Sequence, residues 1–230
     1  LVVTADRAPL VVPRLEAPRV EHHPDVFDIV AWNETEDPVA ITAALIGSAQ
    51  RIAIGDQMWS RFLVEMLPRL SGRHFVRSVE IVGPLRIRKD AAEMTALAAA
   101  GAAADRVAAQ LQRGDIPLVG RTEAQVSADI SARLLAEGHD VVNFAIVAAG
   151  DNAASPHHHP GERVITHGDI VLCDFGGTMR GYCSDITRCV HLGEPPADIA
   201  RAWSDLRRAQ EAGVMAGVVG ASCESVDAAA

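Results

Sequence analysis

The segment Ile170-Val171-Leu172-Cys173-Asp174-Phe175 sets one carboxylate inside an otherwise apolar run, and Tyr182-Cys183-Ser184-Asp185-Ile186-Thr187 carries a second one shortly downstream. Apolar runs of this length, with Gly176-Gly177 and Gly181 as turn punctuation, predict the two strands of a β-hairpin. With the turn at Met179-Arg180, antiparallel pairing predicts Asp174 directly opposite Asp185, their Cβ atoms about 4.5–5.5 Å apart. Like charges placed this way repel, and a carboxylate in an apolar strand is costly or changes its pKa unless a positive charge compensates it. A divalent metal ion is the simplest compensation. The alternative gives Asp174 a turn role ahead of the glycines and Asp185 a local hydrogen bond, with a one-residue bulge sending one of them to the opposite face.

Three elements recur in order: Asn152-Ala-Ala-Ser-Pro-His157, Gly168-Asp-Ile-Val-Leu-Cys-Asp174-Phe-Gly-Gly, and Gly181-Tyr-Cys-Ser-Asp185-Ile-Thr-Arg188. Together they resemble the pita-bread metallopeptidases, which include methionine aminopeptidases, Xaa-Pro aminopeptidases, prolidases and the non-peptidase creatinase. The Pro-His step and the Ser-Asp-x-Thr-Arg element are most similar to bacterial Xaa-Pro peptidases. The resemblance implies a dinuclear site built from two Asp, one His and two Glu. Asp174 and Asp185 match the two Asp ligands, and His157 matches a histidine that contacts substrate and the reacting centre. The family's ligand His and both Glu lie later than these elements, and no match to them occurs before Ala230. The expected cofactor is a pair of divalent ions, manganese first, with cobalt, zinc or iron as other options. The expected partner is a peptide with proline at its second position, acted on by a homodimer.

Formal charge and composition bound the alternatives. A net charge of −9 argues against a nucleic-acid surface, which needs clustered Lys and Arg. Runs such as Arg86-Ile-Arg88-Lys89 and Arg207-Arg208 read as solvated faces. No apolar stretch reaches the roughly 18 residues of a membrane helix, so no membrane partner is expected. At 230 residues and 49% hydrophobic content the chain can bury a sizeable core. Cys173, Cys183, Cys189 and Cys223 have neither zinc-type spacing nor the density of a disulfide scaffold, which points to reduced thiols and a cytoplasmic location. Cys183 shares the Asp185 face in the predicted hairpin and is a candidate neighbour of the site.

Along the chain an α+β organisation is expected. Residues 1–84 alternate short apolar runs with turns and suit a small creatinase-type α/β amino-terminal domain. Leu1-Val-Val-Thr4, Leu10–Val12, Val26–Val30 and Arg51–Ile54 read as strands, and Met58–Leu67 as a helix that Pro68 ends. His22, His23 and His74 lack partners at ligand spacing. A boundary is expected at Gly83-Pro84, with residues 85–230 forming the first half of a pita-bread catalytic domain. Asp90 and Glu93 predict the capping box of a long Ala-rich helix, and Thr122 with Gln125 predicts a second one, whose apolar face is Val126, Ile130 and Leu134 before Gly138 stops it. Strands are expected over Val141–Ala148 and Asp169–Phe175. After Pro195-Pro196, Trp203, Leu206, Gln210 and Val214 have helical spacing, and Trp203 is expected in the core. Ser222 is a predicted N-cap for a helix whose apolar face begins at Val226. With Leu1 opening as a strand without an initiator Met, the chain is expected to be a fragment, inactive alone.

Pro156-His157-His158-His159-Pro160 is weak evidence for a metal site, because consecutive side chains of an extended loop point in different directions. Its position in the family pattern singles out His157 and leaves His158 and His159 as rim residues. The implied chemistry is metal-assisted hydrolysis, with His157 donating a hydrogen bond to the substrate carbonyl or the tetrahedral intermediate. Thr187 is expected to orient Asp185 from behind. The leading reading is cleavage at an Xaa-Pro bond by an aminopeptidase or dipeptidase. Creatinase-like carbon–nitrogen hydrolysis and non-catalytic peptide or protein binding remain the alternatives.

Overall fold

Two reciprocal capping boxes start the first two helices of the site-bearing region. Asp90 accepts from the Glu93 amide while Glu93 accepts from the Asp90 amide, opening a helix over Ala91–Arg113. Thr122 and Gln125 exchange the same pair of bonds at the start of a helix over Glu123–Ala136. Each such N-cap contributes about 1 kcal/mol by satisfying amides that have no partner inside the helix.

The computed structural model describes residues 1–230, which divide into two compact units, Leu1–Lys89 and Asp90–Ala230. In the first unit, β1 (Pro9–Pro13) and β2 (Asp28–Trp32) form a parallel pair, as do β3 (Arg51–Ile54) and β4 (His74–Arg77). Helices α1 (Pro38–Ile46), α2 (Ser60–Met66) and α3 (Val79–Ile87) complete the unit. Asp37 caps α1 through the Val39 and Ala40 amides, with Pro38 at the first helical position, where its missing N–H costs nothing. The small core of this unit is Val39, Ile52, Met66 and Leu70. Leu1–Thr4, expected as a strand, is not one. The chain turns back on itself instead, the Thr4 amide bonding the Arg7 carbonyl and the Val2 amide the Pro9 carbonyl. Gly83 and Pro84, expected at a boundary, lie inside α3.

In the second unit, α4 (Ala91–Arg113) and α5 (Glu123–Ala136) cover one face of an antiparallel sheet. Its strands are β5 (Val141–Ala149), β6 (Ile170–Met179), β7 (Tyr182–Cys183) and β8 (Ile186–His191), with β6 between β5 and the β7/β8 arm. The buried positions of α4, Ala100, Ala103, Ala104, Val107, Ala108 and Leu111, recur at helical spacing. Their small side chains let the helix backbone come close to the strands. From the sheet, Val147, Ala149, Val171, Cys173 and Phe175 meet Val107, Val126, Ile130 and Leu134 with no exposed surface. Full burial of a Val, Leu, Ile or Phe side chain stabilises by about 1.5–3 kcal/mol, so this layer holds the unit together.

Helices α6 (Ala197–Ala216) and α7 (Cys223–Ala229) pack on each other, and Ser222 caps α7 through the Ser225 amide. Trp203, expected in the core, is 51% exposed, and Leu206 and Val214 are exposed with it. The helical period is correct there, but no element of residues 1–230 lies over that stripe. No helix is long and apolar enough to cross a membrane. The chain is thus α+β, as its sequence pattern predicts.

Candidate active site

Register determines where the acidic residues stand. The hairpin turns at Arg180-Gly181, not at Met179-Arg180, because Met179 pairs with Tyr182 and Thr178 with Cys183. Both turn residues have positive φ, 51° at Arg180 and 83° at Gly181, the geometry that matches the twist of a two-residue hairpin. The Arg180 amide also bonds the Asp140 carboxylate at 2.7 Å, and the Tyr182 hydroxyl donates to Glu93 at 3.1 Å, which fastens the hairpin tip to α4.

The consequence is a pairing two residues away from the expected one: Asp174 lies opposite Thr187, and Phe175 opposite Ile186. The same offset on both sides of the break between β7 and β8 sets Asp185 opposite Gly176. A shift of two preserves the face, so Asp174 and Asp185 remain on one side of the sheet as diagonal neighbours, about 7–8 Å apart along the backbone. That side is the one α4 and α5 leave open. Thr187 Oγ1 donates to Asp174 Oδ1 at 2.9 Å, so the threonine orients Asp174 and not Asp185. Asp185 is exposed and makes no hydrogen bond or ion pair, and Asp174 has no cationic partner.

Gly176 and Gly177, expected to punctuate the turn, are strand residues of β6. A Cβ at Gly176 would collide with the Ser184 carbonyl, and one at Gly177 would come 2.8 Å from the His139 ring. These glycines exist for close backbone approach. On the buried side, His139 Nδ1 donates to the Leu134 carbonyl at 3.0 Å, which leaves Nε2 to accept from the Ser184 hydroxyl at 2.8 Å. The Gly177 amide donates to that same hydroxyl at 3.2 Å. The chain of bonds fixes the backbone immediately before Asp185. Cys183, on the open side, sits beside Thr178 and Asn143 at 3.6 and 3.7 Å from its sulfur.

His157 is exposed and forms no side-chain hydrogen bond. It stands in the loop after β5, beyond the 3₁₀ turn Gly150–Ala154, and no bond links it to either aspartate. The residue that sequence reasoning missed is Glu123, wholly buried at the start of α5. Its Oε1 accepts from the Ala149 amide at 2.8 Å and Asn152 Nδ2 at 2.9 Å, and its Oε2 from His158 Nε2 at 2.8 Å and the Gly161 amide at 3.3 Å. Burial opposes its ionisation, but the bonds from Asn152, the Ala149 amide, His158 and the Gly161 amide outweigh burial and hold the carboxyl below its ordinary value. His158, expected at the rim, is therefore a partly buried partner of this carboxylate. The signal available in the sequence was an acidic first residue after a capping threonine, which by itself reads as helix-dipole chemistry.

Asp174 and Asp185, two carboxylates with free oxygens on an uncovered face, fit a hard or borderline divalent cation. No group of three or more His, Cys, Asp and Glu comes together in residues 1–230, so the pair is the whole donor set found on this face.

Residues 91–230 match the model of metallopeptidase family M24. Over 236 aligned residues the chain is 40% identical to the "Probable dipeptidase PepE" of Mycobacterium tuberculosis, spanning 100% of this chain and 62% of that protein. The crystal structure of dipeptidase PepE from Mycobacterium ulcerans superimposes with a TM-score of 0.79 at 40% identity, covering 90% of this chain and 56% of that one. An Xaa-Pro dipeptidase from Bacillus anthracis superimposes with a TM-score of 0.80 at 25% identity, covering 94% and 60%. The fold matches the amino-terminal portion of the pita-bread, creatinase-like peptidases. With a family match over most of its length, carrying both aspartates and the histidine loop, the chain belongs to metallopeptidase family M24.

Proposed function

We propose that the complete protein hydrolyses Xaa-Pro peptide bonds, as a dipeptidase or aminopeptidase, with a pair of divalent cations held in part by Asp174 and Asp185. The observation that carries this reading is the pair of uncompensated carboxylates on one open sheet face, within a chain similar to dipeptidases and to an Xaa-Pro dipeptidase. Bound cations would supply Lewis-acid polarisation of the scissile carbonyl and an acidified water. A carboxylate-rich donor set suits manganese, with cobalt, zinc or iron as the other candidates.

The chain's own residues contribute orientation and charge. Thr187 holds one oxygen of Asp174 in place and leaves the other free. The buried His139–Ser184–Gly177 chain fixes the strand from which Asp185 projects. His157, with no internal partner, is available to donate a hydrogen bond to the carbonyl oxygen of a peptide or to the negative charge that develops on it.

The test is hydrolysis of Xaa-Pro dipeptides and Xaa-Pro-terminated peptides by the complete protein, before and after exhaustive metal removal checked by elemental analysis. Activity is expected to vanish on chelation and return with manganese. Full turnover by verified metal-free protein would end the metallopeptidase reading.

A further inference from the structure

We propose that Glu123 is a positioning residue for the histidine loop, holding the backbone of residues 149–163 so that His157 projects free toward substrate. This rests on the peptidase reading above for its kinetic consequence, though not for its structural one.

The geometry is a suture between the first turn of α5 and the loop. Glu123 side-chain oxygens collect two backbone amides, Ala149 and Gly161, and two side chains, Asn152 and His158. In the other direction, the Glu123 and Ala124 amides, which have no partner within the helix, donate to the Arg163 and Gly161 carbonyls at 3.0 Å each. The loop is thereby tied before His157 at residues 149 and 152, and after it at residues 158, 161 and 163. A carboxylate only accepts, so His158 Nε2 carries the donated proton and the ring orientation of His158 is set. His158 adjoins His157, and fixing the one restricts the backbone of the other.

A buried carboxylate is costly unless fully bonded, and this one, with no exposed surface, is held by four donors. What the carboxylate supplies, and an apolar side chain does not, is four directed acceptor contacts to a segment with no regular structure beyond one 3₁₀ turn. That is the pattern by which a supporting residue orients a reacting one.

The experiment is a double-mutant cycle on the complete, metal-loaded protein. Glu123→Gln keeps shape but presents N–H where Oε2 accepts from His158 and the Gly161 amide, breaking the side-chain ties after His157. It is expected to lower kcat by about 10–100-fold with KM and metal content nearly unchanged. In a His157→Ala background the same substitution should lose almost nothing further, because the group being positioned is gone. Equal, multiplicative losses in both backgrounds would overturn the proposal, as would a His157→Ala variant with wild-type kcat. If Glu123→Gln does not fold, His158→Ala takes its place, and His158→Gln, which retains a donor toward Glu123, should recover most of the lost kcat. Failure of that rescue counts against the proposal. If the wild-type protein cleaves no Xaa-Pro substrate, the functional reading fails by itself. Amide exchange then decides positioning: Gly161 should exchange at least about tenfold faster in the Glu123 or His158 variant, and unchanged exchange would refute it.

Discussion

Single side chains in this protein differ sharply in what their surroundings let them do. Burial, with a smaller contribution from Cys189, pushes the Cys173 thiol up to about 12. Its thiolate is thus scarce at neutral pH, and the sulfur has no exposed surface. A thiol reagent should label exposed Cys183 and Cys223 in the native protein and reach Cys173 only on unfolding. Mass spectrometry of a labelling time course checks this, and early modification of Cys173 would contradict the packing of β6. Glu123 is the opposite case, an acid held ionised. Its folded value lies below the ordinary 4.5, so its contribution to stability is full above about pH 4.5 and disappears as pH falls through the lower folded value. Replacing it by Gln should cost about 1–3 kcal/mol near neutral pH, because an N–H then faces the part-buried donors of His158 and Gly161 and leaves them unpaired. Denaturant unfolding of both proteins should converge in stability on acidification. A gap that widens instead would reverse the sign of the linkage.

At the level of strands and helices, the hairpin is where local chemistry and long-range geometry meet. Gly176→Ala introduces a methyl group that cannot avoid the Ser184 carbonyl, so β6 and the β7/β8 arm must separate. Overpacking of this kind costs about 1–3 kcal/mol. The expected result is a lower unfolding temperature together with faster exchange of the Ser184 amide, which bonds the Gly177 carbonyl at 2.9 Å. A variant with wild-type stability would mean that the strands are not this close. The hairpin also indicates what the sequence made legible. Both capping boxes, both strands and the shared face of Asp174 and Asp185 follow from residue type and period, signals that lie within a few residues of one another. The register did not, because glycine serves both turns and close contacts. Gly176-Gly177 read as punctuation until the Ser184 carbonyl opposite them gave the second reason, and with it the turn moved to Arg180-Gly181. Thr187 changed partner for the same cause. Glu123 was illegible because its meaning lies in Asn152 and His158, about thirty residues on, and no local pattern announces a bond between a helix start and a distant loop. Trp203 failed differently: helical period identifies an apolar stripe but not what covers it.

Across the whole molecule, the apolar interior is two interiors. Val39, Ile52, Met66 and Leu70 form one cluster within residues 1–89, and the larger cluster from Ala104 to Phe175 lies wholly within residues 90–230. Each cluster is built from buried residues of its own unit. The aspartate face and the histidine loop lie within the second. Leu70→Ala, at a position 3% exposed, should therefore destabilise the first unit by about 2–5 kcal/mol, toward the low end because its core is small enough to relax. Native-state amide exchange separates the units directly, since each amide reports the opening of the cooperative region that contains it. Amides of β3 and β4 should exchange faster in the variant, while those of α4, β5 and β6 keep their wild-type protection. Equal loss of protection in α4 and β6 would mean that the two cores unfold as one. In that event a substitution in residues 1–89 would reach the candidate active site through stability alone, and mutational effects on activity from that unit could not be read as chemistry.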